Sequence, residues 1–331
     1  MFGCIKKSIS AFRKRRTEPF SRAVAVTGLL AAALAFTAPA MAGGSFTQGN
    51  ELYGRGRYAE AAKLYERSIK EGASASLALF NMGNCYYQMN ALARAVGCYR
   101  AAIVEAPSFF TAYLNLGVLY QSQEDWPSTV STLEIADALE PDNKQVVLIL
   151  AVAYRNLKAY GPAVKCLERA LALDPAMYDC YFMLFDVYQE LEDLDLAVSY
   201  LNRYPDTGRR AAEKYRLLAG VAEAKGEADK AAFFYRQQVE LAPDNRAARY
   251  QLVEALNKSG HALLALETAR DALKRFGDYG ELALLGGNIA FERKFWRDAG
   301  QFYQTAYALG EARGLIGLQN VEKQTKKTED N

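Results

Sequence analysis

Apolar residues recur along this chain at helical spacing, in paired stripes. Leu79, Met82, Gly83 and Tyr86 fall at i, i+3, i+4 and i+7, one face of a 3.6-residue helix. Ala95, Tyr99 and Ala102 make a second stripe after a polar break. The pair recurs every 34 residues. Stepping from Gly49 gives Gly83, Gly117, Ala151, Phe185, Ala219, Val253 and Gly287, mostly small. Stepping from Ala61 gives Ala95, Thr129, Ala163, Ala197, Ala231, Ala265 and Ala299. The column four residues on (Tyr65, Tyr99, Leu133, Leu167, Leu201, Tyr235, Ala269, Tyr303) is nearly all large. Small residues let two helices approach closely while large neighbours fill the gap. Pro107, Pro141, Pro175 and Pro243 punctuate four repeat ends, where they stop the second helix. The register holds without insertion from 42 to 313. It predicts an all-α chain of about eight antiparallel helix hairpins, each burying its stripe only by stacking on its neighbours.

Two stretches depart from the pattern. Tyr204 and Gln238 stand where the column calls for a small residue, and Pro205 falls inside an expected second helix. The sequence YPDTG at 204–208 reads as an early stop and turn, either a tolerated irregularity or a hinge between repeats 1–5 and 6–8. At the end, Ala312–Lys323 suits a polar-faced capping helix, and EKQTKKTEDN reads as a disordered tail. The domain plan is therefore 1–42, 43–313 and 314–331.

Charge separates the first segment from the rest. Forty Lys and Arg against 38 Asp and Glu give the 331 residues a net charge of only +2. Seven of those cations precede residue 23, before an Ala-rich apolar run and the sequence APAMA at 38–42. Basic start, apolar middle and small-residue end make a secretory signal peptide cut after Ala42. A mitochondrial presequence shares these features, and an uncleaved segment would serve as a membrane anchor. Without 1–42 the net charge becomes −4, which disfavours nucleic acid as a partner. Membrane contact is expected only through the leader, if it is retained. Export to a bacterial periplasm or cell envelope is the expected destination.

The columns from Leu79 to Pro107 and their copies resemble the tetratricopeptide repeat over 42–313. The start GNELYGRGRYAEAAKLYERS is also similar to exported bacterial members of that family. The resemblance implies a right-handed superhelical solenoid, lined inside by the first helix of each hairpin. It implies ligand-facing positions at Phe46, Asn50, Tyr53, Leu77, Phe80, Asn84, Tyr87, Gln88, Leu114, Val118, Gln121, Leu148, Val152 and Arg155. Large apolar groups turned from the core often mark a binding surface, and Asn and Gln between them suit a peptide backbone. Further on, the same positions turn acidic: Asp179, Asp186, Glu190, Glu213, Glu223, Glu254, Glu281 and Glu292, relieved by Arg216 and Lys258. A partner with an apolar segment followed by a basic one would fit. The bland alternatives are that the aromatics extend the core and the acids form a solvated face. The Lys/Asn carboxylate clamp of chaperone-binding members is unmatched, since Phe46 and Thr111 occupy basic positions.

Catalytic chemistry finds no foothold. The single histidine, His261, sits beside Gly260 in an inter-helix turn, which excludes a zinc site with two His ligands. Cys85, Cys98, Cys166 and Cys180 lack C-x-x-C spacing, and export permits a disulfide between Cys85 and Cys98, with buried thiols as the alternative. Gly54-Arg55-Gly56 has no phosphate-loop continuation, and no cofactor is implied. The expectation is a non-catalytic scaffold that binds a protein or extended peptide. An accessory subunit of an envelope enzyme or secretion complex, and a self-assembling structural solenoid, are the alternatives.

Overall fold

The computed structural model describes residues 44–329, and the expected leader 1–42 lies outside them. The described residues fold into seventeen helices and no strand, an all-α repeat solenoid. They divide into two compact units between Asp193 and Leu194. The N-terminal unit holds α1 (Gly44–Gly54), α2 (Tyr58–Lys70), α3 (Ala75–Gln88), α4 (Leu92–Glu105) and α5 (Phe110–Ser122). It continues with α6 (Trp126–Leu139), α7 (Lys144–Asn156), α8 (Tyr160–Leu173) and α9 (Asp179–Glu190). The C-terminal unit holds α10 (Leu194–Asn202), α11 (Ala211–Ala224), α12 (Ala228–Leu241) and α13 (Arg246–Lys258). There follow α14 (Ala262–Phe276), α15 (Gly280–Glu292), α16 (Trp296–Ala308) and α17 (Arg313–Glu329). No helix among the described residues is long and apolar enough to cross a membrane.

One turn ends every first helix. Gly56, Asn90, Glu124, Lys158, Glu192, Gly226, Gly260 and Lys294 all have positive φ and lie 34 residues apart. The next residue's N–H reaches the carbonyl five residues back, as in Arg57 to Leu52 (2.9 Å), Ala91 to Tyr86 (2.8 Å) and Phe295 to Ala290 (2.8 Å). That closure satisfies a carbonyl the helix end would leave bare. Only three of the eight positions are glycine. The tertiary register therefore holds the left-handed conformation even at Asn, Glu and Lys, where it carries a steric cost.

The small column works by contact with the large one. A Cβ at Gly49 would stand 2.9 Å from the Tyr65 ring, at Gly83 2.5 Å from Tyr99, and at Gly287 2.5 Å from Tyr303. Tyr65 and Tyr99 are wholly buried there. Gly83→Ala gains about 1 kcal/mol of helix propensity but overpacks a ring that cannot retreat, at about 1–3 kcal/mol. We expect a net loss near 1 kcal/mol in urea unfolding. Gly97→Ala on α4, with nothing within 4 Å of the added methyl, should be stabilising.

The irregular stretch has a structural cause. Pro205 follows α10, which ends at Asn202, and its loop is fastened rather than loose. Tyr204 is buried, and its hydroxyl accepts the Arg210 N–H at 2.8 Å. Lys214 on α11 is buried too, and donates from Nζ to the Tyr204 carbonyl (2.8 Å) and to Asp206 Oδ1 (2.6 Å). The compact-unit boundary falls instead at Asp193, in the turn after α9.

Helix α17 corrects the reading of the last residues. Those expected to form a disordered tail continue the helix to Glu329. Gly314 and Gly317 bring it against α16, where a Cβ would come 2.6 Å from the Tyr303 carbonyl and 2.5 Å from its ring. Val321 extends that buried stripe one turn on.

Candidate functional site

The site is built from the first helices α1, α3 and α5, the last two joined by a side-chain hydrogen bond. The Tyr65 hydroxyl donates to Asn50 Oδ1 at 2.7 Å, and one repeat later Tyr99 donates to Asn84 Oδ1 at 2.7 Å. Burial drives both phenols far above their ordinary pKa, so they remain donors at any physiological pH. Asn115 on α5 donates from Nδ2 to the same Asn84 oxygen at 3.1 Å. Tyr53 is half-buried, edge-on to Tyr58 at 5.2 Å, and burial raises its hydroxyl pKa, with Gln88 at the end of α3 lowering it in part. Tyr87 is half-buried against the groups around Phe80 and Phe110, and Gln88 is exposed.

This network leaves amide atoms over. Two donors converge on Asn84 Oδ1, while Asn84 Nδ2 and Asn115 Oδ1 have no partner. Both atoms of the Asn81 amide and the Tyr120 hydroxyl are likewise buried and unpaired. Each such group costs about 1–3 kcal/mol. The strip therefore holds a buried, unpaired donor and acceptor, while Tyr53 and Tyr87 keep part of their rings in solvent.

Several expected groove residues are elsewhere. Phe80 has 0% exposure and its ring meets Tyr99 at 5.8 Å and Phe109 at 5.1 Å, so it fills the seam between hairpins and offers nothing to a ligand. Phe46 is buried edge-on to Tyr65 at 5.4 Å. Leu114 and Val118 pack with Leu133 and Val146 in the core, and Val152 is buried on α7. Leu148 is half-buried on α7 and takes no part in the strip. Asn50, Tyr53 and Tyr87 keep partial exposure, while Asn84 is buried with only its amide nitrogen unused. The bland reading of the apolar aromatics thus holds for Phe46 and Phe80.

Asn81, Asn115 and Tyr120 were not among the expected residues. The signal that could have found the first two is their own 34-residue spacing: a polar amide repeated at a position the helix turns inward.

The acidic positions are largely paired. Glu213 accepts from Arg210 at 2.8 Å, Glu223 from the Tyr235 hydroxyl at 2.9 Å, and Lys258 lies 3.1 Å from Glu254. Glu281 and Glu292 are exposed.

The four described cysteines are free thiols, so the Cys85–Cys98 bond is not formed. Cys85 belongs to the buried cluster around Phe46 and Tyr65, aimed at the first hairpin. Burial pushes its pKa up to about 12 and that of Cys166 to about 11, which leaves little thiolate at neutral pH. Among the described residues no group of three or more His, Cys, Asp or Glu is placed to hold a metal.

Family models of the tetratricopeptide repeat match residues 46–109 and 145–177. No curated protein matches the sequence. Among solved structures, a chain from a complex of Naa15 and Naa10 bound to HypK-THB superposes with a TM-score of 0.58 at 16% identity. That match covers 81% of this chain and 42% of the other. A tetratricopeptide repeat protein from Parabacteroides merdae gives a TM-score of 0.47 at 15% identity, over 75% of this chain and 99% of its own. YrrB, described as a tetratricopeptide repeat protein with an unusual peptide-binding site, gives 0.49 at 21%, over 56% and 96%.

Proposed function

This chain belongs to the tetratricopeptide-repeat family, and from that premise we propose that it is a non-catalytic scaffold holding an extended peptide segment of a protein partner along α1, α3 and α5. The observation that carries the reading is the pair of partly exposed tyrosines on neighbouring first helices, Tyr53 on α1 and Tyr87 on α3. Their half-buried rings would take apolar side chains of an extended segment. Protonated phenols, thiols with little thiolate and paired carboxylates agree with holding rather than chemistry. The basic leader and its small-residue end support a bacterial periplasm or cell envelope as the place where that partner is met.

Peptides selected by display against the chain without residues 1–42 test this reading. Tyr53→Ala and Tyr87→Ala should each weaken the selected peptides by about 2 kcal/mol, near thirtyfold. Peptides that bind both variants as tightly as the parent would place recognition elsewhere.

A further inference from the structure

A hollow of about 330 Å³ opens in the C-terminal unit where α12, the end of α13 and the start of α14 meet. Its floor is apolar: Ala232 and Leu256, both buried, with Leu264 and Phe233 as walls. Phe233 leaves 53% of its surface in solvent, a large exposure for a phenylalanine beside a hollow. Three polar groups stand at the rim: Arg236, His261 and Asp229. His261 Nε2 lies 3.3 Å from Asp229 Oδ1, so that carboxylate already has a partner. Arg236 is exposed and has no ion pair among the described residues.

The start of α14 adds a second electropositive element. His261 gives that helix no side-chain cap, and its first turn carries no acidic residue. His261, the residue before that helix, lines the hollow, so the helix start and its partial positive charge adjoin the rim beside Asp229. An unpaired guanidinium, an uncapped helix start and an apolar hollow converge within one small surface.

We propose that this hollow is a docking site for a protein partner, taking one aromatic or branched aliphatic side chain whose neighbouring Asp or Glu reaches Arg236. The apolar side chain displaces water from Leu256 and Ala232, and the carboxylate meets the planar guanidinium fork. Position and chemistry separate this site from the strip on α1, α3 and α5. It takes an acid-flanked anchor, whereas the strip takes apolar side chains on two tyrosines.

The single histidine gives a direct readout. In the chain purified without a histidine tag, the His261 ring proton signals are followed by NMR while blocked peptides are added. Acetyl-Gly-Asp-Phe-Gly-amide should move them saturably. Replacing its Asp by Asn, or its Phe by Ala, should weaken binding at least fivefold, as should Arg236→Gln or Phe233→Ser in the protein. Both protein changes are at exposed positions, and unchanged far-ultraviolet circular dichroism verifies folding. The proposal is overturned if the parent gives no saturable shift, if the Asn peptide binds as well as the Asp peptide, or if Arg236→Gln binds as tightly as the parent.

Discussion

Phe80→Ala should unfold the seam between the second and third hairpins at much lower denaturant, with a loss of about 3–5 kcal/mol. The ring has 0% exposure and lies against Tyr99 and Phe109. Truncation removes its apolar burial and leaves a cavity between two helices that small residues already hold close. The surroundings cannot collapse into it, because the hydroxyl of Tyr99 is anchored to Asn84 and its ring abuts Gly83. In a stacked array each hairpin leans on its neighbours, so the loss should spread along α3, α4 and α5 and not stay at one helix. Hydrogen exchange read helix by helix checks this. Faster exchange throughout α3–α5, with the C-terminal unit's α13–α16 unchanged, is the expected pattern. Exchange indistinguishable from the parent would mean that Phe80 is not a core residue. Peptide-binding variants should therefore be made at Tyr53 and Tyr87, since a binding loss at Phe80 would report unfolding.

Most of the fold was legible because its determinants repeat. Gly83 and Tyr99 touch across a hairpin, and so do Gly49 with Tyr65 and Gly287 with Tyr303, so one spacing rule exposes every copy. The turns after the first helices were legible at Gly56, Gly226 and Gly260 only, because elsewhere tertiary packing enforces a conformation that Asn90 or Lys158 does not announce. The last helix was misread from composition. EKQTKKTEDN is polar enough to be disordered alone, yet Gly314, Gly317 and Val321 dock the helix that carries its residues up to Glu329.

The candidate site was harder, for a physical reason visible in two columns. Stepping from Asn50 gives Asn84, Val118, Val152, Asp186, Gly220, Glu254 and Asn288, and the residue 15 places later is Tyr65, Tyr99, Leu133, Leu167, Leu201, Tyr235, Ala269 and Tyr303. Asn occurs only opposite Tyr, and Val only opposite Leu. The structure gives the cause: Asn50, Asn84 and Asn288 each accept the hydroxyl of that tyrosine, at 2.7, 2.7 and 2.9 Å. A buried phenol needs an acceptor and a buried leucine does not. An amide on the inner helix therefore serves the fold before it serves a ligand. Asn84 alone of the three takes a second donor, Asn115, on that same oxygen.

Lys214→Met should cost the C-terminal unit about 2 kcal/mol or more, the second largest effect expected here. Methionine keeps most of the packing of the lysine stem but removes the ammonium. The Tyr204 carbonyl then loses its donor in a buried setting, just where Pro205 has already ended α10. The variant should also respond to acid differently. Asp206 is held below its ordinary pKa, first by the Lys214 hydrogen bond and then by Tyr215. A carboxyl that binds its proton less readily when folded stabilises the fold fully above its unfolded value, about 3.9, and loses that contribution as pH falls through the lowered one. The parent therefore carries an acid-labile increment of which the variant keeps only the part due to Tyr215. Hydrogen exchange of the α11 amides should show a wide gap between parent and variant at pH 7, narrowing below pH 4. A gap of the same width at pH 3 would show that the Asp206 contact contributes nothing, leaving the carbonyl bond as the whole of Lys214's role.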